Sequence, residues 1–233
     1  MNSFSKQLPL RFKSNENKTF ENFLVGNNAS TLSSLATFLD SDESLFYLWG
    51  TSGAGKTHIL QALCNRMNQT NKQAVILQAQ ELNSRQNVSL VEMFDLVCVD
   101  DAQMIANDKI LEEALFFWIN EIRAVHKKII IAANISTHSK EWQLPDLISR
   151  IQSGRTHEIH ALERADTMSV FITLAKKDGL ILESKIIKYI ENNCPMNLKF
   201  LANLIKKMDQ MTLAEKKQLT IPFLKKILQT ELV

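Results

Sequence analysis

The run Gly50-Thr51-Ser52-Gly53-Ala54-Gly55-Lys56-Thr57 constrains this chain more than any other stretch. It follows an apolar pentapeptide, Leu45-Phe46-Tyr47-Leu48-Trp49, and leads into His58-Ile59-Leu60-Gln61-Ala62-Leu63. The order is strand, glycine-rich loop, helix, and it fits G-x-x-x-x-G-K-[ST] at each fixed position. Gly50, Gly53 and Gly55 let the backbone curl so that successive N–H groups point at phosphate oxygens. The start of the helix adds its positive end. Lys56 is placed to reach β- and γ-phosphates, and the Thr57 hydroxyl to hold Mg²⁺.

The rest of the chain alternates in the way a parallel sheet requires. Ala74–Leu77, Phe94–Val99 and Ile129–Ala133 are short, continuous apolar runs, and His157–Leu162 reads as a fifth strand. Helical patterns separate them: Ser30–Leu39, the helix after the loop, Lys109–Val125 with Ile110, Leu111, Ala114, Leu115, Trp118, Ile119 and Ile122 inward, and Pro145–Ile151. Apolar strands alternating with helices imply an α/β fold with both sheet faces covered. After Leu162 the strands stop. Arg164–Lys177, Ser184–Asn192, Leu198–Met208 and Ile221–Leu232 read as helices, broken at Gly179, Cys194-Pro195 and Thr220-Ile221-Pro222. The expected organisation is a tail over 1–18, a nucleotide-binding α/β domain over 19–162 and a small all-helical domain over 163–233.

Composition narrows the setting. The chain has 233 residues, enough for such a core. Its net charge of +2 creates no global field that demands nucleic acid. Cys64, Cys98 and Cys194 are odd in number, well separated in sequence and set among apolar neighbours, which suits reduced thiols in a cytoplasmic protein. No apolar run reaches the ~18 residues of a membrane span, so no membrane partner is expected. The tail carries one apolar patch, Gln7-Leu8-Pro9-Leu10-Arg11-Phe12, which Pro9 keeps extended. It serves either to cover the protein's own surface or to dock in another protein's groove.

Strand C-termini in a parallel sheet converge on one edge, where ligands bind. Asp100-Asp101 ends one strand and Asn134 another. One carboxylate would support Mg²⁺ and the next would position or polarise an attacking water. The alternative is that both acids cap a turn. Asn134 would orient the same water or the γ-phosphate, or is a turn residue. Arg150, on the short helix expected beside that edge, is a candidate arginine finger acting in cis or on a neighbour, or a surface salt-bridge partner.

These motifs, in this order, resemble an AAA+ ATPase, and in detail the family of the bacterial replication initiator DnaA. Thr19-Phe20-Glu21-Asn22-Phe23…Gly26…Asn28 is similar to the segment before the nucleotide site of that family. Gly55-Lys56-Thr57-His58-Ile59-Leu60-Gln61-Ala62 resembles its GKTHLL-x-A loop and helix, which implies His58 as a nucleotide-site residue. Val97-Cys98-Val99-Asp100-Asp101-Ala102-Gln103 resembles its Walker B segment, and Leu147-Ile148-Ser149-Arg150-Ile151…Gly154 the box that holds its arginine finger. Lys199 falls at the sensor 2 position, where the family carries arginine. Lysine keeps the charge but loses the planar fork.

Gln7–Phe12 is similar to the peptide with which proteins dock on the β sliding clamp of DNA polymerase III, the partner-binding residues being Gln7, Leu8, Leu10 and Phe12. A DnaA-type core with such a peptide, expected to lack the origin-reading domain because the chain ends at Val233, resembles the Hda family of DnaA regulators, and so does Leu219–Leu228. The resemblance implies bound ADP or ATP with Mg²⁺, docking on the DNA-loaded clamp and stimulated ATP hydrolysis by ATP-bound DnaA. DNA would be met mainly through the clamp, and a homo-oligomer is compatible with the motifs. Two other readings stay open. One is an initiator or loader ATPase binding DNA directly through Lys206, Lys207, Lys216, Lys217, Lys225 and Lys226. The other is a self-sufficient ATPase using Lys56 and Asp101.

Overall fold

The structure, a computed structural model, describes residues 18–82, 91–215 and 218–229. Gln7, Leu8, Leu10 and Phe12, like Lys216 and Lys217, lie outside the described residues. The chain divides into two compact units. The first comprises Met1–Phe23, Ser33–Trp49 and Lys56–Glu158; the second comprises Leu24–Leu32, Gly50–Gly55 and Ile159–Val233.

The first unit is built on five parallel strands: β1 (Leu45–Trp49), β2 (Ala74–Gln78), β3 (Leu96–Asp100), β4 (Lys128–Ala133) and β5 (Arg155–Glu158), in the order β2-β3-β4-β1-β5. Their apolar runs are continuous because both faces are covered. Phe46, Tyr47 and Leu48 in β1 and Leu96–Val99 in β3 have no exposed surface. One face carries Tyr47, Val75, Val97, Val99, Ile129 and Ile131, packed with Leu115, Trp118 and Ile122 of α3 (Lys109–Ala124) and Leu147 and Ile151 of α4 (Pro145–Ser153). On the other face, Phe46 meets Phe38 of α1 (Ala29–Leu39) edge to face, ring centroids 5.3 Å apart. There the Cys98 thiol lies 3.8 Å from that of Cys64, on α2 (Lys56–Asn68). None of Cys64, Cys98 and Cys194 is in a disulfide.

Two charged side chains, one buried and one partly buried, hold the ends of these elements. Glu112 of α3 has no exposed surface, and its carboxylate accepts hydrogen bonds from the backbone N–H groups of Asn107, Gln143 and Leu144 at 2.7–3.2 Å. It thereby ties the loop after β3 to the entry of α4. Lys128, at the start of β4, donates its ammonium to the carbonyls of Phe38, Ser41 and Glu43, at and just beyond the end of α1. Orphan carbonyls at a helix end thus find a cation. Burial pushes the Lys128 ammonium below its usual range.

The second unit contains α5 (Arg164–Lys177), α6 (Ser184–Asn193), α7 (Leu198–Glu215) and α8 (Ile221–Gln229) around a core that includes Phe171, Ile186, Ile190, Leu201, Leu204 and Leu224. The Arg164 guanidinium donates to the Glu191 carbonyl, joining the start of α5 to the end of α6. Asn28 is buried here as a two-point clamp. Its amide donates to the His160 carbonyl at 2.9 Å and its carbonyl accepts from the His160 N–H at 2.8 Å.

Three expectations from the residue pattern are corrected. The fifth strand is Arg155–Glu158 rather than His157–Leu162, because its partner ends at Trp49, opposite Glu158, so nothing remains for Ile159 to pair with. Ile110 is 77% exposed, since Glu112 takes the inward place in the first turn of α3. The helix begun at Leu198 continues to Glu215, with no glycine or proline to stop it.

Removing the Glu112 carboxylate leaves three part-buried N–H groups without their acceptor and a cavity where a buried side chain stood, and a lost buried partner costs about 1–3 kcal/mol. Glu112→Ala is therefore expected to lower the unfolding free energy by about 3 kcal/mol or more, read as a lower urea midpoint at unchanged slope.

Candidate functional site

Parallel pairing sets Gln78 opposite Asp100 and Trp49 opposite Ala133, so the ends of β1, β3 and β4 share one edge. In the first unit that edge carries Asp100, Asp101 and Asn134, and α2 opens with Lys56 and Thr57.

Asp100 is the most constrained of these. It is 1% exposed, and its Oδ1 accepts from the Asp101 N–H at 3.0 Å. Its Oδ2 is buried with no hydrogen-bond partner. Burial pushes the Asp100 carboxyl above its ordinary range, partly offset by the neighbouring Thr57 hydroxyl, with Asp101 raising it and Lys56 lowering it. A carboxylate oxygen orphaned beside a hydroxyl and a buried lysine is short of a cation. A Mg²⁺ ion carried by a nucleotide fits this donor set, since such ions take one or two protein oxygens and keep waters and phosphates for the rest. Among the described residues no cluster of three or more His, Cys, Asp or Glu forms a dedicated metal cage.

Asp101 sits in the left-handed region, φ 53°. Its carboxylate accepts from the Gln103 amide at 2.9 Å, and the Gln103 carbonyl accepts from the Asn134 N–H at 3.0 Å. Gln103 therefore joins the second acid to the end of β4. In the sequence Gln103 stands only as one position of the Walker B-like segment; an amide two positions after an acid pair carries no signal of this bridge. His58 faces the preceding segment: its Nε2 lies 2.9 Å from the Thr19 carbonyl and its ring meets Phe23 at 5.3 Å. Burial lowers its pKa. Its contacts are those of a residue positioning Thr19–Phe23.

The second unit contains the loop Gly50–Gly55 and the start of α7. A Cβ on Gly50 would stand 2.1 Å from the Ile159 carbonyl oxygen, so no larger residue fits there. Gly53 and Gly55 have φ of 84° and 102°, values other residues rarely adopt. A Cβ on Gly53 would lie 3.6 Å from Asn197 and 3.7 Å from the Lys199 N–H. Asn197 caps α7 by accepting from the Phe200 N–H at 2.8 Å. The loop and Lys199 are thus brought together by their backbones.

Arg150 does not lie beside the edge that carries Asp100. A helix joining parallel strands runs back against them, so the last turn of α4 reaches the opposite, N-terminal edge. There Arg150 lines a cleft of about 370 Å³ with Asp42, Glu43, Ser44, Leu45, Ile119, Arg123, Ser153, Gly154 and Arg155. From Leu45 to Trp49, β1 alone spans about 13 Å. In the second unit, Lys226 pairs with Glu215 at 2.7 Å and Lys225 lies over the Tyr189 ring, so two of the described basic residues already have partners.

Residues 14–159 match the family described as the bacterial DnaA ATPase domain, and residues 164–228 the family described as the Hda lid domain. The chain belongs to the DnaA-related AAA+ family. A Haemophilus influenzae protein of uncharacterised role is 32% identical over 228 residues, 96% of this chain and 99% of that one. Among solved structures, domain III of the Thermotoga maritima DnaA superposes with a TM-score of 0.79 at 20% identity, covering 93% of this chain and 97% of that one. The AMPPCP-bound DnaA of Aquifex aeolicus gives 0.70 at 23% identity, with 83% of this chain covered but only 65% of that one. This DnaA-related chain thus spans less than two thirds of that longer initiator. No helix among its described residues is long and apolar enough to cross a membrane.

The raised Asp100 pKa has a defined consequence. Its stabilising contribution is full below the ordinary carboxylate range and is lost as pH rises through the raised value, because ionisation is disfavoured in the fold. Asp100→Asn is expected to raise the Tm of the metal-free protein at neutral pH by a few degrees, about 2–4 °C per kcal/mol at this size. The gain should shrink on acidification. Mg²⁺-dependent tightening of nucleotide binding should disappear, as followed by thermal shift with and without the ion.

Proposed function

We propose that this chain is a negative regulator of chromosomal replication initiation, which binds adenine nucleotide and stimulates ATP hydrolysis by a DnaA partner. The observation that carries the reading is the position of Arg150 at the sheet edge away from Lys56, Thr57 and Asp100. An arginine finger there is remote from the chain's own phosphate-binding lysine and is displayed for another protein.

In this reading the segment that binds the chain's own nucleotide is the phosphate loop, which fits G-x-x-x-x-G-K-[ST] at each fixed position. The adenine-nucleotide assignment draws on the DnaA family match and on the AMPPCP named in the Aquifex structure. Thr57 and Asp100 would hold the accompanying Mg²⁺, which neutralises phosphate charge when bound. Asp101 and Asn134, joined through Gln103, would orient a water for any hydrolysis of the chain's own ATP.

In the partner's site, water attacks the γ-phosphorus, the bond to the β–γ bridging oxygen breaks, and ADP and phosphate leave. Charge builds on the γ-oxygens and the bridging oxygen, and the Arg150 guanidinium offers planar paired donors to it. A trans-acting arginine of this kind is worth ~10³–10⁵ in rate. Gln7, Leu8, Leu10 and Phe12 supply the docking peptide for the β sliding clamp, which would concentrate the regulator on DNA.

Arg150→Ala is expected to leave nucleotide binding intact and to reduce stimulated hydrolysis at least 10³-fold, measured with ATP-loaded DnaA and clamp-loaded DNA. Unchanged hydrolysis would sink the reading. Gln7→Ala with Leu10→Ala should abolish retention on immobilised clamp; persistent retention returns the tail to its own surface.

A further inference from the structure

The cleft around Arg150 contains a second arginine that the proposed function leaves without a role. Arg123 lies in the last turn of α3, as Arg150 lies in the last turn of α4, and both line the same space of about 370 Å³. Leu45 and Ile119 add apolar side chains to the lining. A third arginine lines the cleft but is engaged. The Nε of Arg155 is 2.7 Å from Glu43 Oε2, and its Nη1 donates to the Ser34 carbonyl at 2.8 Å and the Thr37 hydroxyl at 2.7 Å. That contact also occupies Glu43, one of the two acids in the cleft. Among the described residues, neither Arg123 nor Arg150 has a salt-bridge or hydrogen-bond partner for its guanidinium.

Two uncommitted guanidinium groups in one cleft, with Asp42 as the single acid not held by an arginine, make a site for a multiply charged anion. Planar forks match phosphate oxygens in pairs, and two of them suit two neighbouring phosphates better than one carboxylate.

Resting on the trans-acting reading of Arg150, we propose that Arg123 is a second phosphate-binding cation, so that the Arg123–Arg150 cleft receives the terminal phosphates of a nucleotide held by another protein's phosphate loop. The two arginines divide the work. Arg150 meets charge that grows in the transition state and so sets the maximal rate. Arg123 binds charge present before and after reaction alike, which is uniform binding and sets the half-saturating concentration.

The experiment is single-turnover hydrolysis of ATP preloaded on DnaA, with clamp-loaded DNA, titrated with wild-type chain, Arg123→Ala, Arg123→Lys, Arg123→Glu and Arg150→Ala. Arg123→Ala is expected to raise the half-saturating concentration about tenfold, roughly one charge-assisted hydrogen bond, with a maximal rate within about twofold of wild type. Arg123→Lys should recover part of that loss and Arg123→Glu should deepen it, while Arg150→Ala depresses the maximal rate. An Arg123→Ala titration that superimposes on wild type, with Arg150→Ala inactive, overturns this proposal and leaves the regulator reading standing. Full activity of Arg150→Ala overturns both. If Arg123→Ala weakens binding to bare duplex DNA but leaves the titration unmoved, the phosphate it meets belongs to DNA and the proposal fails.

Discussion

All neighbouring strands of the sheet run the same way, and most of the chemistry follows from that constraint. Parallel strands need a crossover of helix or coil to return the chain, so strand ends and helix ends collect on opposite edges. Asp100, Asp101 and Asn134 end strands; Arg123 and Arg150 end helices. The candidate metal-holding and water-orienting groups therefore stand on one edge, and on the other two guanidinium groups that have no ion-pair or hydrogen-bond partner among the described residues. A chain so arranged is suited to hold one nucleotide while presenting arginines to a second, which is the physical content of the proposed regulatory role.

Hydrogen-bonded polar groups fix the local geometry within each unit. Glu112 gathers N–H groups from two loops, Lys128 gathers carbonyls at and just beyond the end of α1, and Asn28 clamps His160. Each is satisfied, as a low-dielectric setting demands. Asp100 departs from this rule with one orphaned oxygen, and its carboxyl is pushed up by burial. Gln61 Oε1 and the indole nitrogens of Trp118 and Trp142 are likewise buried without a partner, but of these groups only Asp100 is ionisable and stands beside Thr57 and Lys56. Gln103 adds a restraint nearby, because Asp101 in a left-handed backbone conformation is held to the β4 end by that one amide.

Much of this was legible from residues. The strands Leu45–Trp49, Ala74–Gln78 and Lys128–Ala133 follow their apolar runs closely, since burial on both faces leaves no room for polar side chains. The glycine pattern around Gly50 was equally clear, because only glycine tolerates those dihedrals and the approach of Ile159. Other features were not. The residue pattern places the fifth strand two residues late, because His157–Leu162 looks more strand-like than Arg155–Glu158, and the end of β1 decides the matter. Ile110 looked inward because its spacing fits the stripe, yet a carboxylate with backbone partners took that place.

The sequence by itself determined that the chain is an α/β nucleotide-binding fold with a helical C-terminal unit, and which residue types are the candidates for phosphate and Mg²⁺ chemistry. Those properties are local: glycine dihedrals, apolar periodicity, and an acid pair closing a strand. The tertiary structure decided which edge each group occupies. It took Arg150 away from the phosphate-binding lysine, set Arg123 beside it, and linked Asp101 to Asn134 through Gln103. Such relations depend on crossover direction and on contacts between residues distant in the chain, and no window of sequence encodes a direction in space.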